Sequence, residues 1–121
     1  MNVNKAIILG RTTKDPEIKK TPNGKSVVDI SIATNYSYKN ANGEKISEVE
    51  YHEIVAFGSL ADIIAKYVVK GQSIYIEGRI KKVEWTSKDG NKKNKTQITA
   101  DTLQMGPGPK REEPVEEAII E

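Results

Sequence analysis

Apolar and polar residues alternate along most of the chain. Val28, Ile30 and Ile32 are separated by Asp29 and Ser31, and Ile74, Ile76, Gly78 and Ile80 alternate with Tyr75, Glu77, Arg79 and Lys81. A period of two marks a strand with one buried face. The pattern predicts strands near residues 4–11, 26–36, 47–57, 72–85 and 95–105. Asn23-Gly24, Asn42-Gly43 and Asp89-Gly90 read as two-residue hairpin turns with positive φ. One stretch departs from this period. Leu60, Ile63, Ile64, Tyr67 and Val68 recur at helical spacing and form a single apolar stripe. Ser59 and Asp62 supply its expected N-cap and first-turn acid, and Lys70 and Gly71 its closing cation and left-handed stop.

The resulting order is β-β-β-α-β-β. Five strands with one helix between the third and fourth predict an all-β chain with one helix, an OB-fold five-stranded Greek-key barrel. Gly10, Gly58 and Gly78 are candidate bends or bulges in it. Composition agrees, since 24 residues are Val or Ile against three Leu, and β-branched side chains suit a pleated surface. At 121 residues the chain fits one domain.

Cysteine is absent, which excludes disulfides, thiol nucleophiles and cysteine-ligated zinc. His52 is the single histidine. No apolar run approaches the roughly 20 residues of a membrane-spanning helix, and the N-terminus lacks a signal-peptide layout. The expectation is a cytoplasmic protein without membrane contact. The net charge of +2 conceals an asymmetry. Residues 1–111 carry all 19 Lys and Arg against 12 of the 17 acids, a net of +7, and residues 112–121 carry the other five as Glu. A barrel domain over residues 1–105 is thus expected to lead into a flexible Gly/Pro-rich and then acidic tail over 106–121.

Catalysis finds little to work with. Glu48 and Glu50 share strand parity while Glu53 points to the other face, and His52 has no identifiable partner. Neither a phosphate-cradling glycine loop nor a cofactor motif is present, so a non-enzyme without a cofactor is expected. Binding is better supported. The segment Tyr51 to Phe57 is apolar on both parities, although only one face can line a small barrel. Trp85 shares parity with Arg79 and Lys81, beside a hairpin carrying Lys88, Lys92, Lys93 and Lys95, and Tyr38 stands next to Lys39. Flat aromatic rings for bases with cations for phosphates are the requirements of a single-stranded nucleic-acid groove. These features leave RNA open as the ligand, because a stacking ring does not read the 2′-hydroxyl. A protein-docking module also stays open.

The stretches NKAIILGRTTKDPEIKKTPNGKSV, SIAT, EYHEIVAFGSLADIIAKYVVKGQSIYIEGRIKKVEW and DG occur in that order between residues 4 and 90, and carry a family likeness that covers residues 2–105. In this combination the chain resembles the bacterial-type single-stranded DNA-binding (SSB) proteins. The resemblance implies an OB-fold subunit of a homotetramer that wraps single-stranded DNA without sequence preference in replication, recombination and repair, in the cytoplasm with the nucleoid. It implies stacking by Tyr38, Tyr51, Phe57 and Trp85, and phosphate contacts by Lys5, Arg11, Lys39, Lys70, Arg79 and Lys81. His52 and Tyr75 match subunit-interface positions. Glu53, Ser59 and Glu84 stand where relatives often carry a base, which implies weaker phosphate binding. Relatives use an acidic tip ending in Pro-Phe to recruit replication and repair proteins. Here the sequence reads EEPVEEAIIE, with acids and apolar residues but no phenylalanine.

Overall fold

Alternation along each strand closes into a barrel. The computed structural model describes residues 1–108, and the rest of the predicted tail lies outside the described residues. The elements are β1 (Ala6–Thr12), β2 (Glu17–Lys20), β3 (Ser26–Lys39), β4 (Lys45–Phe57), α1 (Gly58–Tyr67), β5 (Ser73–Thr86) and β6 (Lys92–Met105). β1 and β2 are two halves of one bent strand. Both run antiparallel to β3, Arg11 facing Ala33 and Glu17 facing Asp29, with a two-residue slip in register between them. The slip contains Pro16, which has no N–H to give to a ladder. Counted this way, five strands close in the order β1-β5-β6-β4-β3, and β3 returns to β1. All pairings are antiparallel except β4 with β6, where Ile54 faces Ile98 and Val55 faces Thr99. This is the OB-fold barrel expected from the sequence.

The alternating residues meet inside. Val28, Ile30, Ile32, Ile54, Ile74, Ile76 and Ile98 form the core, with Ala61, Ile64 and Val68 packed against them from the helical segment. Truncating a fully buried isoleucine such as Ile76 to alanine costs about 2–5 kcal/mol. The buried side of α1 is narrower than the predicted stripe, since Ile63 and Tyr67 face outward. Its ends also differ. Phe57 occupies the N-cap position without a side-chain cap, and no acid lies in the first turn. The helix stops at Tyr67 because Val68 turns extended, and Gly71 serves the next turn, donating its N–H to Thr12 O at 2.9 Å.

The three Gly-containing hairpin signals do mark turns, but of another type. Only the glycines have positive φ, so Asn23, Asn42 and Asp89 keep ordinary backbone conformations. In each case a residue bonds both to the third and to the fourth residue after it, as in Gly90 N–H to Ser87 O at 2.9 Å and Ser87 N–H to Asn91 O at 2.8 Å. This is a type I turn closed by a left-handed glycine, the three-residue hairpin loop.

Two hairpins outgrow the barrel. The β3–β4 ladder runs unbroken from Val27 facing Phe57 to Lys39 facing Lys45, yet burial ends near Thr34. The β5–β6 ladder continues to Thr86 facing Lys92. Its inward parity loses cover past Gly78, so Ile80, expected inside, is 49% exposed. A bulge lies at that point. Glu77 faces Thr102 and Gly78 faces Ala100, leaving Asp101 unpaired. Gly106 and Pro107 then continue past β6, bonding to Ser73 through N–H to O contacts of 2.8 and 3.0 Å.

Candidate nucleic-acid interface

Strict alternation decides which side chains share a surface. On β4 the core-facing residues Ile54 and Ala56 leave Tyr51, Glu53 and Phe57 exposed on the outward parity, with Val55 buried between them. The parallel pairing of Val55 with Thr99 carries that outer face onto β6, and the pairing of Thr99 with Arg79 carries it onto β5. Along the β5–β6 arm the same face continues through Lys81 facing Gln97, Val83 facing Lys95 and Trp85 facing Lys93. The Glu53–Lys95 ion pair, at 2.9 Å, spans β4 and β6 across this surface. One continuous outer face therefore holds exposed Tyr51, Phe57 and Trp85 together with Arg79, Lys81, Lys93 and Lys95. Trp85 borders an open hollow shared with Lys92, Lys93 and Asn94. The Lys25 ammonium lies 5.6 Å from the Phe57 ring centroid, a cation beside a flat ring brought there from a hairpin turn distant in sequence.

The remaining candidates lie away from the stretch that carries Tyr51, Phe57 and Trp85. Tyr38 lies on the opposite parity of β3, facing Ile46, and its hydroxyl donates to Glu48 Oε2 at 3.5 Å. Lys39 is at the tip of the β3–β4 arm, directly across from Lys45. Arg11 donates from Nη1 to Gly71 O at 2.8 Å, and the Lys70 backbone N–H donates to Asp15 Oδ1 at 2.8 Å. Both sit where the turn before β5 meets β1. Lys5 is engaged with Glu77 at 2.8 Å. His52 contacts Thr34 Oγ1 through Nε2 at 2.9 Å on the inner parity of β4, next to Glu50 and away from Glu53.

Tyr75 shares the outward parity of Arg79 and Lys81 on β5 but lies at the other end of the strand, where β1 runs beside it. On the outside of β1, β5 and β6, Ile7 faces Glu77, Leu9 faces Tyr75 and Gln104 also faces Tyr75. Ile7 and Leu9 are exposed, and the ladder of β1 over residues 6–10 is occupied on the β5 side only. Tyr75 and His52, both expected at subunit contacts, thus lie on different faces. Glu77 binds this surface together, accepting hydrogen bonds from Lys5 and from the Tyr75 hydroxyl. The bond from Lys5, then that from Tyr75, holds the Glu77 carboxyl below its ordinary range. The bond to Glu77 raises Lys5, and likewise raises Tyr75 by stabilising its neutral hydroxyl. Glu77 is depressed, so the stability it contributes is present above its unfolded pKa and lost as pH falls through the folded value. For Lys5 the sign is opposite, with loss as pH rises through its raised pKa. Carboxyl-detected NMR is expected to find Glu77 titrating below an ordinary glutamate, and Lys5→Gln is expected to move it upward. An ordinary midpoint in the unaltered protein would show that the trio does not form.

The molecule is thus a small OB barrel whose outer face is aromatic and cationic. The sequence profile described as the Single-strand binding protein family matches residues 3–106, and the chain belongs to that family. Among its relatives, the single-stranded DNA-binding protein of Neisseria meningitidis serogroup A is 36% identical over 105 residues, covering 87% of this chain and 60% of the relative. Single-stranded DNA-binding protein 1 of Chlorobaculum tepidum is 40% identical over 104 residues, covering 85% and 64%. The chain thus spans somewhat less than two thirds of the length of these curated relatives. Among solved structures, the Plasmodium falciparum SSB in complex with ssDNA superposes with a TM-score of 0.81 at 29% identity, covering 87% of this chain and 96% of that one. A deletion mutant of the Thermus aquaticus single-stranded DNA binding protein gives 0.77 at 28% identity, covering 88% and 51%.

Proposed function

We propose that this protein binds single-stranded DNA without sequence preference and keeps it from re-annealing and from nucleases during replication, recombination and repair. The observation that carries the reading is the continuous outer face of β4, β6 and β5, on which Tyr51, Phe57 and Trp85 are interleaved with Arg79, Lys81, Lys93 and Lys95. Bases stack on the rings, and the ammonium and guanidinium groups neutralise phosphates. Membership of the Single-strand binding protein family and the likeness to a solved complex with ssDNA support the same ligand. Nothing in this scheme requires a reacting group or a cofactor. Tyr38, Lys39, Arg11, Lys70 and Lys5 extend the path beyond this stretch, and Lys5 must first exchange Glu77 for a phosphate.

Assembly is part of the proposal. The uncovered ladder side of β1, with exposed Ile7 and Leu9 beside Tyr75, suits pairing with a second copy, and His52 offers a contact on a different face. Two self-complementary faces are what a homotetramer needs. The cellular setting that follows is the cytoplasm, at the nucleoid, and no helix among the described residues is long and apolar enough to cross a membrane. Residues 106–121 would act as a tail appended to the barrel domain over 1–105.

Competition distinguishes this from the RNA and protein-docking readings. A labelled oligo-dT bound to the protein is challenged with unlabelled oligo-dT, its RNA counterpart and the matched duplex. The expected order of displacement places single-stranded DNA first and the duplex last. Log affinity is expected to fall linearly with log salt, by about 0.7 per neutralised phosphate. RNA displacing as well as DNA would contradict the assignment, and so would a salt-independent affinity.

A further inference from the structure

The alternation that unites Tyr51, Phe57 and Trp85 leaves a second aromatic pair on the other side of the β3–β4 arm. The ladder there is unbroken, so Thr34, Tyr36 and Tyr38 continue the parity of Val28, Ile30 and Ile32 past the rim of the barrel. On that parity the side chains would be core if a third strand covered them, but along the arm none does. Tyr36 is 64% exposed, and its ring centroid lies 5.7 Å from that of Tyr38 with a tilt of 32°. Two exposed rings side by side give a flat apolar surface at low conformational cost. The ribbon's other face carries the opposing Lys39 and Lys45 at its tip. Like charges directly across a ladder destabilise it, and an anion bridging them removes the penalty. A nucleic-acid backbone crossing the tip would meet those lysines and bring a base within reach of the tyrosine pair.

Glu48 sets the chemistry of the border. It faces Tyr36 across the ladder and accepts the Tyr38 hydroxyl, with Glu50 next along the same face. Carboxylates repel a phosphate, so this side is unsuited to backbone and suited to a base. A carboxylate also accepts from an exocyclic amino group, as on cytosine or adenine, for which thymine has no equivalent.

We propose that Tyr36, with Tyr38 beside it and Glu48 at its border, forms a base-stacking subsite for single-stranded DNA on the inner-parity face of the β3–β4 arm, favouring amino-bearing bases. The proposal rests on the reading of the protein as a single-strand binder. The subsite adds to the groove a stacking ring and a modest base preference.

The test compares oligo-dC and oligo-dT of about 16 nucleotides, the upper span of one OB fold. Tyr36→Ala is expected to weaken oligo-dC binding about fivefold or more, and oligo-dT less, with an unchanged salt slope because no phosphate contact is lost. Tyr36→Phe should restore the affinity, and Glu48→Gln should lower the dC-to-dT ratio. A thermal midpoint equal to that of the unaltered protein separates lost stacking from unfolding. If the unaltered protein binds both oligonucleotides and Tyr36→Ala binds them equally well, the subsite is overturned while the general function stands. Failure of Tyr36→Phe to restore binding overturns the stacking role, and an unchanged ratio in Glu48→Gln overturns the base preference. Absence of binding by the unaltered protein removes both the function and the subsite.

Discussion

Replacing Trp85 by alanine is expected to weaken binding of a single-stranded oligonucleotide roughly 5- to 150-fold. The range corresponds to the ~1–3 kcal/mol per stacked base known for OB-fold single-strand binders of this kind. Trp85 offers the largest ring of the proposed groove and stands 44% exposed at the far end of the β5–β6 arm, directly across from Lys93. Its position outside the core means that the substitution should leave the thermal midpoint nearly unchanged. The salt slope separates its role from that of its neighbours. Trp85→Ala removes a ring and keeps every cation, so log affinity shifts without a change of slope. Lys81→Ala removes one phosphate contact and should flatten the slope by about 0.7. Filter binding at several salt concentrations reads both effects. An unchanged affinity in Trp85→Ala would take the arm out of the binding path.

The second large effect concerns stability. A Cβ placed on Gly78 would lie 2.1 Å from Thr99 O, 2.8 Å from Thr99 C and 2.9 Å from Ala100 Cα. All three are backbone atoms of the partner strand, so no side chain can rotate away. Relief requires β5 and β6 to separate beside the Glu77/Gly78 irregularity, where the barrel passes into its arm. Gly78→Ala is therefore expected to cost about 2 kcal/mol, in the range of overpacked cores. In a domain of this size that lowers Tm by roughly 8–16 °C. Gly108→Ala, with nothing within 4 Å of its Cβ position, is the control and should melt as the unaltered protein does. The same comparison tests the fold, since a sheet open between β5 and β6 would tolerate both changes.

Much of this architecture is written in the alternation of the chain. Val28, Ile30 and Ile32, and Ile74 and Ile76, specify their strands and their inward faces, and the helical spacing after Phe57 places α1. What the alternation does not carry is where the barrel ends. Ile80 obeys the same parity as Ile76 but has lost its cover, because a period of two reports a face and not what lies opposite it. β2 is invisible for the reverse reason. Glu17, Ile18, Lys19 and Lys20 are all exposed, with a single apolar residue and no burial to impose a pattern. The turn type was hidden too, since Asn-Gly and Asp-Gly suit several loops and only the bonding around Ser87 and Asn91 tells them apart.

The binding face was legible in part. Parity alone puts Trp85 with Arg79 and Lys81, and Tyr51 with Phe57. Joining the two sets needs the parallel pairing of β4 with β6, a contact between residues far apart in sequence. Parity also separates Tyr38 from Tyr51 once the β3–β4 register is known, and the same register brings Tyr36 beside Tyr38. The signal for Tyr36 was present in the chain, an aromatic two residues before another.

Trp85 is the only tryptophan, so its fluorescence reports on one place. Titrating it with oligo-dT at low and high salt, with the matched duplex as control, tests the central claim most directly. Strong quenching by the single strand, weakened by salt and absent with the duplex, is the predicted result. Single-strand binding that leaves the Trp85 emission unchanged, or equal quenching by the duplex, would contradict the account.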